Sequence, residues 1–416
     1  MKDEVLVFID HTGEPVRVGS LHREPRRGYE AVGFRYSDAW LGRPDAFSLE
    51  PALALGPGAF SPRSGHRLFG SLGDSAPDTW GRQLLRHAER RQANREGRPV
   101  RSLHELDFLL GVADVARIGA LRFRRPKEEV FLAPNADGVP SVVHLQRLLE
   151  ATDRTLRDEE SEADLRLILA PGSSLGGARP KASMVDADGS LAIAKFPKET
   201  DEYSLERWEA IALALAALAG IRTARSRLVD VAGRPVLVVR RFDRLGEKRI
   251  PFLSALSMLA RADGERASYP ELVDALTRHG AAAKGDAVEL YRRLAFNVLV
   301  STVDDHLRNH AFLWVGSSGW MLSPAYDLNP TPVDVRERRL TTSISLEDAT
   351  CEVGLVLEVA AYFDLSHGKA REVVREVALT TRTWRGVATS CGATPGEIER
   401  MASAFEHEDL EAALAL

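Results

Sequence analysis

Cysteine is scarce in this chain of 416 residues: it has two, Cys351 and Cys391. Two such distant thiols form no paired metal spacing and allow at most one disulfide, which excludes a disulfide-built scaffold and fits a reducing compartment. Long apolar runs are also missing. The longest, AIALALAALAGI from Ala210, falls well short of the roughly 20 residues that span a bilayer. The N-terminal MKDEVLVFID is acidic early, and its apolar part is too short for a secretory signal, so a cytoplasmic protein with no membrane role is expected. Nor is there an excess of positive charge: 55 Lys and Arg stand against 60 Asp and Glu, a formal net charge of −5. That balance argues against a charge-driven grip on nucleic acid, so any role at DNA is expected to be indirect, through a partner. Internal repeats and low-complexity tracts are absent.

What is present is material for several packed layers, with 44% hydrophobic and 28% charged residues. EVLVFID followed by HTGEPVRVGSL predicts a hairpin. The stretch GSLGDSAPDTWGRQLLRHAERR places Asp78 or Thr79 as an N-cap ahead of Trp80, Leu84 and Leu85 at helical spacing. A second helix is expected over SLHELDFLLGV, and RRPKEEVFLAPNADGVPS reads as a connection. SEADLRLILA predicts a helix ending at Pro171 and Gly172. A glycine-rich turn then feeds two strands, EYSLERWEAIALALAALAGI predicts a helix closed by Gly220, and SRLVDVAGRPVLVVRRFDR predicts a hairpin around Ala232 and Gly233. Beyond about residue 250 the pattern turns mostly helical, as in YPELVDALTRHG, GDAVELYRRLAFNVLVSTV and VLEVAAYFDLSHGKAREVVREVAL. The expected class is α+β, a β-rich half before an α-rich half with a cleft between two lobes.

Four pieces carry chemistry. In GSSLGGARPKA, Gly176 and Gly177 permit backbone N–H groups to approach an anion, and Lys181 can bring a cation near; an ordinary glycine turn explains the same residues. Lys195 ends the apolar strand LAIAKFP, where it must reach solvent or meet a negative partner. Glu206 and Glu209 open the next helix, and a strand lysine paired with a helix glutamate is how protein kinases hold ATP phosphates. Finally VDDHLRNHAFLW carries Asp304 and Asn309 at the D-x-x-x-x-N spacing of a kinase catalytic loop, and Asp327 follows beyond a short predicted hairpin. One carboxylate, one amide oxygen and nucleotide phosphates suffice for Mg²⁺. His306 and His310 could share a zinc ion if helical, but no third ligand accompanies them.

Together SSLGGARPKA, AIAKFP, VVRRFDR, VDDHLRNHAF and SPAYDLNP resemble the HipA family, the serine/threonine kinase toxins of bacterial type II toxin–antitoxin systems. GEPVRVGSL and FGSLGDSAPDTWGRQLL resemble its amino-terminal subdomain. The resemblance implies a two-lobed, protein-kinase-like fold with that subdomain over 1–140, the rest of the N-lobe over 141–245 and a helical C-lobe over 246–416. It implies ATP and Mg²⁺ as cofactors, Asp304 as catalytic base, and Asn309 and Asp327 as metal ligands. Lys195 would contact the nucleotide phosphates, and Leu175, Gly176, Gly177, Ala178, Arg179 and Lys181 would cover them. Arg240 to Phe242 would lie beside adenine, His306 and Arg308 near the nucleotide, and Glu209 rather than Glu206 would be the helix glutamate. Ser174, with Ser173 as its neighbour, would be the autophosphorylated serine, where roughly −1.5 to −2 charges beside an ATP site would be self-inhibiting. The implied partners are a HipB-like helix-turn-helix antitoxin and a protein substrate such as an aminoacyl-tRNA synthetase. A small-molecule phosphotransferase or a pseudokinase acting as a co-repressor are the alternatives. Asp305 departs from the pattern, which commonly has Gly there, and an extra carboxylate is expected to recruit a second cation or repel ATP.

Overall fold

A computed structural model of the chain describes residues 3–26, 29–132, 139–169 and 177–416. It divides into two compact units, Met1–Glu199 with Val229–Leu253, and Thr200–Leu228 with Ser254–Leu416. The chain thus lends one segment to the second unit and returns before completing the first. Helices and antiparallel strands coexist in the expected α+β manner.

In the first unit, β1 (Asp3–Ile9), β2 (Val16–Arg26), β3 (Tyr29–Tyr36) and β4 (Leu121–Arg124) form a sheet of order β3-β2-β1-β4. The predicted hairpin is its centre: Val5 faces Leu21 and Leu6 faces Ser20, with a bulge between Val7 and Phe8. A second sheet has the order β5-β6-β8-β7, from β5 (Lys181–Val185), β6 (Leu191–Lys195), β7 (Ser226–Val231) and β8 (Arg234–Arg240). Ala232 and Gly233, at φ 53° and 78°, make the two-residue turn between β7 and β8, the twist that suits a hairpin. Alternation along these strands assigns the faces. Ala182, Met184, Ala192, Ala194, Val236 and Val238 join Leu148, Leu149, Leu165 and Ile168 in one buried cluster. These leucines and Ile168 come from the helices Leu145–Leu156 and Glu162–Leu169. Ile193, Lys195, Leu237 and Val239 therefore occupy the opposite face, so the lysine that ends this apolar strand points away from that cluster.

The second unit is organised around the helix Ala283–Leu299, buried along most of its final two turns. Tyr269–His279 and His367–Thr381 pack against it. The expected hairpin is present as strands Ala311–Trp314 and Trp320–Leu322, with Phe312 opposite Leu322. The stretch from Val356 that reads as helical is broken. A helix Val353–Glu358 passes into a 3₁₀ turn Val359–Phe363, Asp364 takes φ 57°, and Ser366 caps the next helix by accepting from the N–H of Lys369. Asp and Ser favour such breaks because their side chains bond nearby backbone. The helix Leu205–Leu218 belongs here because Trp208 packs with Trp384 and Phe405, the last two stacked at 4.5 Å.

Candidate functional site

The loop that joins the long helix to the strand Ala311–Trp314 is closed by its own side chains. Asn309 Nδ2 donates to the carbonyl of Asp304 at 2.8 Å, and the N–H of Asn309 donates to the carbonyl of His306. These bonds leave the Asp304 carboxylate 58% exposed, where it meets Arg336 Nη1 at 3.3 Å. Arg308 forks onto Asp263 with two contacts of 3.0 Å, and its carbonyl accepts from Tyr326. His306 is half-buried, with Nδ1 making no hydrogen bond among the described residues.

Behind the loop, Asn297, Thr302, Asp305, Asn309, His310 and Asp327 line one small cavity. Asn309 Oδ1 is buried and accepts no hydrogen bond among the described residues, as do the Asn297 and Thr302 oxygens. Native proteins rarely leave such atoms without partners, so each marks a place where a ligand atom fits. A buried amide oxygen and a carboxylate on one cavity are hard oxygen donors of the kind Mg²⁺ takes. The residues thus fit the ion that Asn309 and Asp327 were expected to hold. Asp327 sits at φ 58°, a left-handed conformation that Asp tolerates, and its N–H donates to Glu209 Oε1 at 3.2 Å. Glu209 therefore holds the backbone at Asp327, a contact that helix spacing alone does not reveal.

Asp305 corrects the sequence reading. Its carboxylate, expected to recruit a second cation or repel ATP, is 2% exposed and takes its hydrogen bonds inside the protein. It accepts from Tyr269 Oη at 2.9 Å, Thr341 N at 2.9 Å and Thr342 N at 3.1 Å, and its carbonyl accepts from the Thr342 hydroxyl at 2.7 Å. Asn297 Nδ2 donates in turn to Tyr269. Burial pushes the Asp305 carboxyl up to about 8 in spite of these donors, and burial, then Arg293, pushes the His310 imidazole down to about 3. Asp305 is a fastener between the loop and the segment 341–342.

In the first unit, Lys181 and Lys195 stand directly opposite each other on β5 and β6. Like charges so placed repel, and Lys181 is relieved by a buried ion pair with Asp78 Oδ2 at 2.9 Å. The other oxygen of Asp78 caps the helix Thr79–Glu96 by accepting from Gly81 N at 2.9 Å. Gly177 has φ 92°, a left-handed conformation that favours glycine in the turn beside this ammonium. Ala178 is exposed and Arg179 half-buried, while Ser173, Ser174, Leu175 and Gly176 lie outside the described residues. Arg240 pairs with Asp188 at 3.2 Å, and Phe242 stacks on Phe252 at 6.4 Å. Arg241 falls within the stretch expected beside adenine, whereas Asp243 next to it was not singled out. Arg241 and Asp243 are buried; Asp243 accepts from Gly119 N at 2.7 Å, from Arg244 at 2.8 Å and from Arg241, while Arg241 donates to the carbonyls of Ala116 and Arg117. Burial opposes the charge of Asp243, but Arg241 and Arg244 hold its carboxyl below the usual carboxylate range. This clamp fixes the strand end that carries Arg240 and Phe242. The RRFDR run shows the charges, but not that they point inward.

Among the described residues, His306 and His310 belong to no group with metal-binding proximity; that geometry is met by His87, Asp158 and Glu160. There the two ring nitrogens face different carboxylates, Nδ1 toward Glu160 at 3.2 Å and Nε2 toward Asp158 at 3.7 Å, and Arg91 also binds Glu160. That is the pattern of an ion-pair network rather than three ligands around one ion. No helix among the described residues is long and apolar enough to cross a membrane.

The model of the HipA-like C-terminal domain matches residues 173–385. The protein named "Putative kinase Y4mE" of Sinorhizobium fredii is 30% identical over 332 residues, 72% of each chain. "Putative kinase Y4dM" of the same organism is 26% identical over 202 residues, 45% of this chain and 48% of its own. Among solved structures, HipA of Shewanella oneidensis MR-1, determined in complex with HipB and operator DNA, matches with a TM-score of 0.67 at 18% identity, over 98% of this chain and 96% of that one.

Proposed function

Since the chain belongs to the HipA family, we propose that it is an ATP- and Mg²⁺-dependent serine/threonine protein kinase, the toxin of a type II toxin–antitoxin module in the cytoplasm. The observation that carries this reading is the pairing of Asn309 Oδ1, buried and without a hydrogen bond among the described residues, with Asp327 on one cavity, next to an exposed Asp304 on the same loop. Its relatives are named as kinases, and its fold is that of a HipA chain.

In this reading residues 1–140 form the amino-terminal subdomain, 141–245 complete the N-lobe and 246–416 form the C-lobe. Asn309 and Asp327 hold Mg²⁺, which when bound neutralises phosphate charge. Glu209 keeps Asp327 aimed by taking its N–H. Lys195 contacts the ATP phosphates from the sheet face opposite the Leu148 cluster, and the turn from Leu175 to Lys181 covers them; Lys181 joins them by exchanging its bond to Asp78. Arg240 and Phe242 flank adenine, held by the Arg241–Asp243 clamp, with His306 and Arg308 near the nucleotide. Asp304 accepts the proton of the acceptor hydroxyl, and Ser174 takes a phosphoryl group in an inactivating self-reaction. The acceptor is a translation-related protein such as an aminoacyl-tRNA synthetase. A HipB-like helix-turn-helix antitoxin neutralises the enzyme and supplies the contact to DNA that a chain of net charge −5 does not make by itself. Asp305 no longer favours a pseudokinase, since its carboxylate is occupied by Tyr269, Thr341 and Thr342.

Induced expression in a bacterial host, followed by phosphoproteomics, tests the reading. New serine or threonine phosphorylation in the translation machinery with growth arrest is expected, both lost with Asp327→Asn. Arrest that persists in that variant contradicts it.

A further inference from the structure

The clearest group without an assigned task is Arg336. Its Nη1 meets Asp304 Oδ1 at 3.3 Å and its Nη2 donates to Thr341 Oγ1 at 3.2 Å. The ion pair joins side chains that are 44% and 58% exposed, and such pairs are worth little for stability. Its support is built far more firmly. Thr341 donates from both N and Oγ1 to the carbonyl of Val303, each at 3.0 Å, and its N–H also reaches Asp305 at 2.9 Å. The other arginines of the segment serve structure. Arg338 binds Ser301, the carbonyl of Val298 and Asp409, and Arg339 binds Thr350 and Asp348. Thr341, itself exposed but tied to the buried Val303 and Asp305, therefore delivers one exposed guanidinium to the loop of the expected base, where its contact is weak enough to be exchanged.

We propose that Arg336 is the cation that stabilises the phosphoryl group in transfer, an inference that rests on the kinase reading above. The acceptor oxygen forms a bond to the γ-phosphorus as the bond from that phosphorus to the β–γ bridging oxygen breaks. The acceptor proton passes to Asp304 and ADP leaves with the bridging oxygen. Charge in this step is spread over the equatorial oxygens of the γ-phosphoryl group, and a planar guanidinium matches them better than it matches one oxygen of Asp304. Arg336 then exchanges its bond to Asp304 for bonds to phosphate, which also frees the base as ATP is seated.

The test compares the full-length wild type with Arg336→Ala, Arg336→Lys and Asp304→Asn. Each is incubated with Mg²⁺ and γ-labelled ATP, and transfer is followed to the chain itself and to myelin basic protein. Arg336→Ala is expected to lower the rate constant on the order of 10²-fold or more, as removal of a transition-state donor does. The KM for ATP should stay within a few-fold, the melting temperature should not change, and Arg336→Lys should recover only part of the rate. Added guanidinium ion should raise the rate of Arg336→Ala and leave Asp304→Asn inactive, a rescue that a purely structural arginine would not show. A wild-type or faster rate in Arg336→Ala overturns the proposal while leaving the kinase reading standing. Absence of transfer by the wild type overturns the kinase reading itself.

Discussion

Replacing Asp305 separates anchoring from catalysis. In Asp305→Ala, Thr342 N and the Tyr269 hydroxyl lose their acceptor inside the protein, whereas Thr341 N retains the carbonyl of Val303. Each stranded donor costs about 1–3 kcal/mol. The removed carboxyl also leaves a small void, so at about pH 4, where the raised pKa of Asp305 adds no cost, the total is about 3–5 kcal/mol. For a unit of this size that corresponds to a fall of the order of 10 °C in melting temperature. Asp305→Asn keeps one oxygen for both backbone N–H groups and disturbs only the bond to Tyr269, for about 1 kcal/mol. Differential scanning calorimetry of the full chain reads both variants. Activity adds a second axis: Arg336 is held through Thr341, so Asp305→Ala should slow transfer even at temperatures where it remains folded. A melting temperature equal to wild type in Asp305→Ala would refute the anchoring role.

The remaining expectations follow from separate features. Asp78→Ala removes at once the carboxylate partner of the buried Lys181 and the cap of the helix Thr79–Glu96; urea titration should show a loss of about 3–5 kcal/mol, with Asp78→Asn, which keeps the cap, losing less. His407 accepts from Leu410 N through Nδ1, and Nε2 reaches the carbonyl of Leu299, so protonation would cost the cap of the last helix. Burial, then Arg338, lowers its pKa to about 4. The unfolded chain binds the proton first as pH falls below the ordinary value of about 6.5, so stability declines from there toward the folded value, by about 2 kcal/mol between pH 8 and 5. Denaturation across this range should be flatter in His407→Asn. Asp243→Asn loosens the clamp on Arg240 and Phe242, and a raised KM for ATP with a smaller change in rate constant is expected from steady-state kinetics. Ser174→Ala should lose most self-labelling, and phosphopeptide mapping that finds the label elsewhere would refute that assignment.

Much of the fold was readable because local signals agree with it. Gly220 and the Ala232–Gly233 turn end or reverse elements by conformations that few residues adopt. The D-x-x-x-x-N spacing located the loop because one asparagine must reach back to its own start. What stayed hidden depends on distant partners. Glu209 supports Asp327, Asp305 fastens the segment 341–342, and Asp78 neutralises Lys181, and no periodicity encodes pairs so far apart. Asp305 misled because an extra acid beside a metal-type loop reads as a ligand, whereas burial turned it inward. The interruption at Asp364 escaped notice because the apolar spacing on either side continues in phase.

The proposed reaction needs Asp304 as the base in phosphoryl transfer, and a single-turnover assay with Mg²⁺ and γ-labelled ATP tests it. The wild type should transfer label to protein, and Asp304→Asn, folded and still binding nucleotide, should not. Equal transfer by the two proteins would contradict the assignment.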